Sequence, residues 1–242
     1  MDVRIYNDII SLSQAAANAI YNIAVTAIAE HGKFNIALSG GSTPKSLFKV
    51  LATRYQQEFP WEQTQIFWSD ERCVPPESPD SNYYLAKTTL FDHIAIPPSN
   101  IYRVKGEIEP QAAAAEYEEI LKQALSALPR FDVILLGMGD DGHTASLFPG
   151  TTALKVHDRL VIENFVPTKD MWRITFTDVT INAAANIMFL ISGRDKTDRL
   201  QQVLEGQYQP DTLPAQLVKP KNGNLIWFID ESAAAKLHSN RK

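Results

Sequence analysis

Short apolar runs alternate with longer helical segments along nearly the whole chain, and this alternation constrains the fold more than any other property of the sequence. Residues 3–6, 34–38, 65–68, 133–136, 160–163, 173–177, 187–191 and 225–229 read as strands, each brief and apolar-rich. Residues 8–29 are alanine-rich, carry apolar side chains at helical spacing and contain no Gly or Pro, so they read as a long helix that stops at His31-Gly32. Residues 44–54, 81–91, 110–128, 194–204 and 231–238 read as further helices, with Ser81 and Asn82 as caps and Pro110 at a helix start. Such alternation predicts an α/β fold, a mainly parallel sheet with helices on both faces. No repeat, low-complexity segment or linker interrupts it. The loop at 150–159 is the nearest thing to a boundary, so residues 1–242 read as one domain.

A chain of 242 residues, 45% of them hydrophobic, can bury a substantial core without covalent staples. Its single cysteine, Cys73, excludes an intramolecular disulfide and a cysteine-based zinc cluster, which fits a reducing compartment. The first residues lack the basic-then-apolar pattern of a signal peptide, and no run is long and apolar enough to span a membrane. The expectation is a soluble cytoplasmic protein. A net charge of −5 without a basic cluster argues against nucleic acid as a partner. It also requires that any anionic substrate be held by local positive groups.

Loops that follow strands carry the chemistry, as expected where open α/β sheets bind their ligands. The most informative runs Phe131-Asp132-Val133-Ile134-Leu135-Leu136-Gly137-Met138-Gly139-Asp140-Asp141-Gly142-His143-Thr144-Ala145-Ser146-Leu147-Phe148-Pro149. It delivers two aspartates and a histidine at a strand's carboxyl end, and histidine is the side chain best suited to proton transfer near neutral pH. Gly137, Gly139 and Gly142 match the spacing of a dinucleotide fingerprint. Asp140 and Asp141, however, would set two negative charges against a pyrophosphate. The segment reads instead as an acid–base loop, with a plain turn holding a hydrogen-bonded histidine as the structural alternative.

Ser39-Gly40-Gly41-Ser42-Thr43-Pro44 follows the strand at 34–38 and opens a helix. Gly40 and Gly41 permit close backbone approach, and Ser42 and Thr43 supply hydroxyls. Free N–H groups and the helix dipole make such a turn an anion site. It lacks the lysine of a nucleotide P-loop, which argues against ATP; a structural βα turn fits the same residues. In Trp68-Ser69-Asp70-Glu71-Arg72-Cys73, Arg72 can clamp a phosphate through two parallel hydrogen bonds. Asp70 can act on substrate hydroxyls or on a proton. A surface salt bridge among Asp70, Glu71 and Arg72 is the competing reading. Cys73 has no evident base beside it and reads as a small buried residue, not a nucleophile. In Leu190-Ile191-Ser192-Gly193-Arg194-Asp195-Lys196, Lys196 lies on a first helical turn, which the dipole disfavours unless an anion binds there. Arg173 leads into an apolar strand, either reaching the same site or standing as a charge at a sheet edge.

In order, Ser39-Gly40-Gly41-Ser42-Thr43-Pro44, Asp70-Glu71-Arg72, the segment at 137–149 and Ser192-Gly193-Arg194-Asp195-Lys196 resemble the 6-phosphogluconolactonase family, over nearly the whole chain. The resemblance implies hydrolysis of 6-phosphoglucono-δ-lactone to 6-phosphogluconate, the second step of the pentose phosphate pathway. It implies a single Rossmann-like α/β domain and no organic cofactor. It puts the catalytic histidine on His143 and the phosphate contacts on Ser39, Gly40, Gly41, Ser42, Thr43, Arg72 and Lys196. A sister family, the glucosamine-6-phosphate deaminases, shares the Asp-Gly-His segment and the Asp-Glu pair, but its histidine segment continues into Asn-Glu-Pro. Here Leu147 and Phe148 precede Pro149, so the carboxylate that supports ring opening and deamination is missing.

A lactone already carries a reactive carbonyl, so one base and one water suffice, and this account requires no metal. His143 is expected to take a proton from water, and Asp141 to orient the ring or stabilise its charged form. The phosphate, held far from the reacting carbon, would fix the sugar so that C1 meets the base. The expected partner is therefore a phosphosugar, acted on by a monomer or weak homo-oligomer. Two other readings stand beside this one. An isomerase–deaminase on the same scaffold is disfavoured by Phe148. A non-catalytic sugar-phosphate sensor would keep the loop at 40–43 and lose the acid–base residue, and His143 beside Asp141 speaks against it.

Overall fold

A strand with no polar side must be covered on both faces. Val133–Leu136 is such a strand, and all four of its residues are buried. A computed structural model, describing residues 2–125 and 128–238, shows what surrounds it. In chain order the elements are β1 (Asp2–Tyr6), α1 (Ile9–His31), β2 (Phe34–Leu38), α2 (Ser42–Arg54), β3 (Thr64–Trp68), β4 (Asp70–Arg72), α3 (Asn82–Thr89), α4 (Pro110–Ala124), β5 (Val133–Leu136), β6 (Val161–Val166), β7 (Met171–Phe176), α5 (Asp178–Asn182), β8 (Asn186–Ile191), α6 (Thr197–Glu205), β9 (Asn224–Asp230) and α7 (Glu231–Ala234). Six strands form one sheet in the order β1-β9-β8-β5-β2-β3. Every pairing in it is parallel, as the alternation predicts. The chain leaves β2 for β3 on one side, whereas β5 and β8 lie on the other. Strand order therefore reverses between β2 and β5, and the crevice at such a switch point is where ligands bind.

Helix ends follow their local chemistry. Asp8 accepts from the Ser11 N–H at the start of α1 and Ser11 answers with its hydroxyl, a capping box. Gly32 ends that helix at φ 81°, a left-handed conformation that suits glycine. Ser81 caps α3. Several helices are shorter than the sequence predicts. The segment at 81–91 is helical to Thr89 and then turns into a 3₁₀ piece at Phe91–His93. The segment at 194–204 begins with a 3₁₀ turn, Arg194–Lys196. Of 231–238 only the first four residues are α-helical. The helix expected at 110–128 ends at Ala124, and positions 126–127 lie outside the described residues.

A second, three-stranded sheet departs from the sequence reading. Its order is β4-β7-β6 and its pairings are antiparallel. β6 and β7 are joined by a short turn, Pro167–Lys169 and Asp170, with no helix between them. Two strands so joined can only pair antiparallel, since a parallel return needs a long crossover. The sequence predicts a loop where β4 lies. Its strand state depends on β7, which lies about a hundred positions further along. Ser69, fully buried, carries the chain from one sheet to the other: its N–H donates to Leu38 O (2.9 Å) and its carbonyl accepts from Phe176 N–H (2.8 Å). This step sets the second sheet over the carboxyl ends of the first. Among the described residues no helix is long and apolar enough to cross a membrane.

Candidate active site

The loops after β2, β5 and β8, together with β4 and β7, enclose a cleft of about 390 Å³. That is within the usual size of a small-molecule site. Its lining includes Ser39, Gly40, Gly41, Ser42, Thr43, Asp70, Arg72, His143, Arg173 and Lys196, so the structure brings nearly all the sequence-predicted site residues together. Asp141 is the exception. It does not face the cleft but lies behind the histidine, on a neighbouring groove.

Asp141 Oδ1 accepts two hydrogen bonds, from the His143 backbone N–H at 3.0 Å and from the ring Nδ1 at 2.6 Å. Burial opposes ionisation of the carboxyl, but the hydrogen bond and charge of the histidine ring and two backbone bonds prevail and hold it at about 2. An ionised carboxylate only accepts, so Nδ1 carries the proton, and in the neutral ring Nε2 holds the free lone pair. The ring is confined in two other ways. Phe148 stacks on it with centroids 3.9 Å apart and planes 20° from parallel. Gly139 lies so close that a Cβ there would come within 2.1 Å of Nδ1. The glycine at 139 is thus required by the histidine, not by a dinucleotide. No helix begins after β5, so this loop also lacks the helix N-terminus that a pyrophosphate would use.

At the other loop, Gly41 precedes α2 at φ 105°, and no side chain caps that helix. Gly40 admits no side chain because Asn82 Oδ1 would lie 1.8 Å from its Cβ. Arg72 and Arg173 are register partners across β4 and β7. Arg173 stands on the central strand of its sheet and is buried, so the edge-charge reading is corrected. Burial first, and then the charge of Arg72, lower its guanidinium from the ordinary value, with Asp70 and Glu71 opposing. The Nε atoms of both arginines are buried without a hydrogen-bond partner. Arg72 also donates from Nη1 to Asp80 O at 2.6 Å. Two cations side by side, without a carboxylate in ion-pair contact among the described residues, form a site suited to an anion. Lys196 pairs with the exposed Asp195 at 3.1 Å on the first turn leading into α6.

The salt bridge considered for residues 70–72 does not form. Asp70 is buried and accepts from Ser146 Oγ at 2.7 Å, tying β4 to the histidine loop. Glu71 points elsewhere, accepting from the N–H groups of Arg72, Asn82 and Tyr83 and from Ser81 Oγ. Burial raises its carboxyl against those backbone bonds. It anchors the start of α3. Burial likewise pushes the Cys73 thiol up to about 11, which removes it as a nucleophile near neutral pH. Among the described residues no cluster of His, Cys, Asp and Glu could hold a metal.

Sequence reasoning missed three contributors. Lys169, at the turn between β6 and β7, lines the cleft, and nothing local distinguishes it from any surface lysine. Asn82, expected only as a cap, is buried against Gly40 and donates to Asp70 O at 2.9 Å. Phe148 lines the cleft and stacks on the histidine ring, and no local pattern in the sequence marks it for that contact.

Comparisons with known proteins bear on the chain as a whole. A family profile described as glucosamine-6-phosphate isomerases/6-phosphogluconolactonase matches residues 7–227. The chain is 44% identical over 218 residues to a 6-phosphogluconolactonase of Nostoc sp., covering 88% of each. It superposes on a crystal structure described as devB protein with a TM-score of 0.90 at 34% identity, covering 98% of this chain and 99% of that one. It superposes on 6-phosphogluconolactonase from Trypanosoma brucei with a TM-score of 0.86 at 28% identity, covering 98% of each.

Proposed function

The chain belongs to the glucosamine-6-phosphate isomerase/6-phosphogluconolactonase family, and from that membership we propose that it hydrolyses 6-phosphogluconolactone to 6-phosphogluconate with His143 as the base. It is a lactone hydrolase of the pentose phosphate pathway. The observation that carries the assignment of the base is the hydrogen bond from Nδ1 to an ionised Asp141, which leaves Nε2 as the proton acceptor of a ring lining the cleft. Nε2 takes a proton from water as the water oxygen bonds to C1. The tetrahedral centre then collapses, the bond from C1 to the ring oxygen breaks, and Nε2 returns its proton to that oxygen. Asp141 stabilises the imidazolium between the two steps.

The phosphate sits against Gly40, Gly41, Ser42 and Thr43 at the uncapped start of α2, met by Arg173, Arg72 and Lys196. Two observations support this placement: the buried Nε atoms of Arg72 and Arg173, which have no hydrogen-bond partner, and a helix N-terminus with no side-chain cap. Asp140 on the histidine loop also lines the cleft, and its charge favours an orientation with the phosphate away from it. An isomerase–deaminase gains nothing from position 148, where an aromatic ring lies flat on the histidine. The same reading makes the protein one cytoplasmic domain, monomeric or weakly self-associating.

His143→Asn tests the base. The variant should fold, bind 6-phosphogluconate, and lose about 10²- to 10⁴-fold in kcat, the usual worth of a positioned base. The assay must subtract the lactone's spontaneous opening. Near-wild-type turnover in the folded variant would overturn the assignment.

A further inference from the structure

A hydrogen bond from Nδ1 to Asp141 fixes one atom of the His143 ring but leaves the ring free to turn about that contact. What sets the plane is Phe148, stacked at 3.9 Å and 20°. The two constraints are complementary: a tilt of the imidazole plane toward Phe148 drives it into the phenyl ring. Gly139 closes on the Nδ1–Cε1 edge and permits no retreat there.

Phe148 is itself held. It is 4% exposed, too enclosed to flip into solvent. Its carbonyl accepts from Thr151 Oγ1 at 2.8 Å, and that hydroxyl accepts in turn from Asn164 Nδ2 at 3.1 Å. The same Asn164 amide donates to Ser146 O at 2.9 Å. A buried side chain on β6 thus clamps the loop on both sides of Phe148, and Ser146 ties it again to Asp70 on β4. The second sheet is a rigid frame for the aromatic ring, and the aromatic ring is the stop for the histidine. The phenyl face also carries the negative side of its quadrupole toward a ring that becomes positive when it accepts a proton.

We propose that Phe148 is a positioning residue for lactone hydrolysis, setting the plane of His143 so that Nε2 is presented to C1; this rests on His143 being the base. Phe148→Leu keeps the apolar character and gives up a little volume, but removes the flat face. It should lower kcat about 10- to 100-fold, the scale of a small misplacement of a reacting group, with KM within about 3-fold. Phe148→Tyr, which restores a flat ring, should recover most of the rate.

Three measurements separate this role from simple packing or substrate contact. In a His143→Asn background, Phe148→Leu should have no further effect on the residual rate, because nothing is left to position. An equal loss in both backgrounds overturns the proposal. A loss confined to KM overturns it as well. In the wild-type enzyme, the His143 Cε1–H resonance should lie upfield of an unstacked histidine, and an ordinary position in a folded sample refutes the stack even if the leucine variant does not fold. His143→Asn measured alongside keeps the two ideas distinct. If that variant stays active, the base assignment fails. If it is dead while Phe148→Leu is fully active, the positioning role alone fails.

Discussion

Asp141→Asn separates the charge of the aspartate from its geometry. One oxygen accepts from both the His143 backbone N–H and the ring Nδ1. A backbone N–H cannot accept, so an asparagine must present its carbonyl oxygen at that point, and Nδ1 must still donate. The tautomer survives and the negative charge is lost. The carboxyl itself shows what the charge is worth. Holding it at about 2 in place of 3.8 corresponds to ~2.4 kcal/mol at 1.36 kcal/mol per pH unit. The side chain is 38% exposed, and solvent screening reduces the figure to about 1 kcal/mol. The imidazolium formed when His143 accepts a proton loses that stabilisation, so kcat should fall about 5-fold. KM should hold, because Asp141 does not line the cleft. Asp141→Ala, which also frees the tautomer and the ring, should cost far more, approaching the loss of the base. Initial rates of lactone opening, coupled to oxidation of the 6-phosphogluconate formed, measure both variants. An Asp141→Asn enzyme as impaired as His143→Asn refutes the separation of charge from tautomer. Unchanged kcat refutes the role of the charge.

The same carboxyl makes stability depend on pH. Its folded value of about 2 lies below the unfolded 3.8, so the carboxylate stabilises the fold fully above about pH 4 and the contribution is lost as pH falls toward about 2. Asp141→Asn should lower Tm at neutral pH by about 2–4 °C, and the gap should close across that window; a gap independent of pH contradicts the linkage. Arg173→Met replaces a buried, unpaired guanidinium beside Arg72. It should raise the Tm of the ligand-free enzyme by about 2–4 °C, the effect of roughly 1 kcal/mol in a chain of this size. Its affinity for 6-phosphogluconate should fall about 10- to 100-fold, the worth of a charge-assisted contact. Thermal shift and calorimetric titration read the two effects, and a lower Tm with unchanged affinity would make Arg173 a structural residue.

What could be read without coordinates was local. Strand and helix periods, the stop at Gly32 and the glycine loops after β2 and β5 each depend on neighbours a few positions away. So does the contact of Asp141 with His143, two residues apart on one loop. These signals sufficed for the parallel sheet and for the loops that line the cleft at its carboxyl end. The remainder rests on which distant segments pair. β4 is a strand only because β7 lies beside it, and that pairing alone puts Arg72 next to Arg173. It also buries Arg173, which from the sequence could as well have been an edge charge. The turn between β6 and β7 brings Lys169 to the cleft by the same route. Asp141 and Phe148 show the limit most plainly. Sequence spacing put Asp141 near His143, but the path of the loop, clamped by Asn164 from another strand, sent the carboxylate behind the ring and laid the phenyl of Phe148 on its face. Side-chain direction in an irregular loop has no period to reveal it; it is decided by packing against elements far away in the chain.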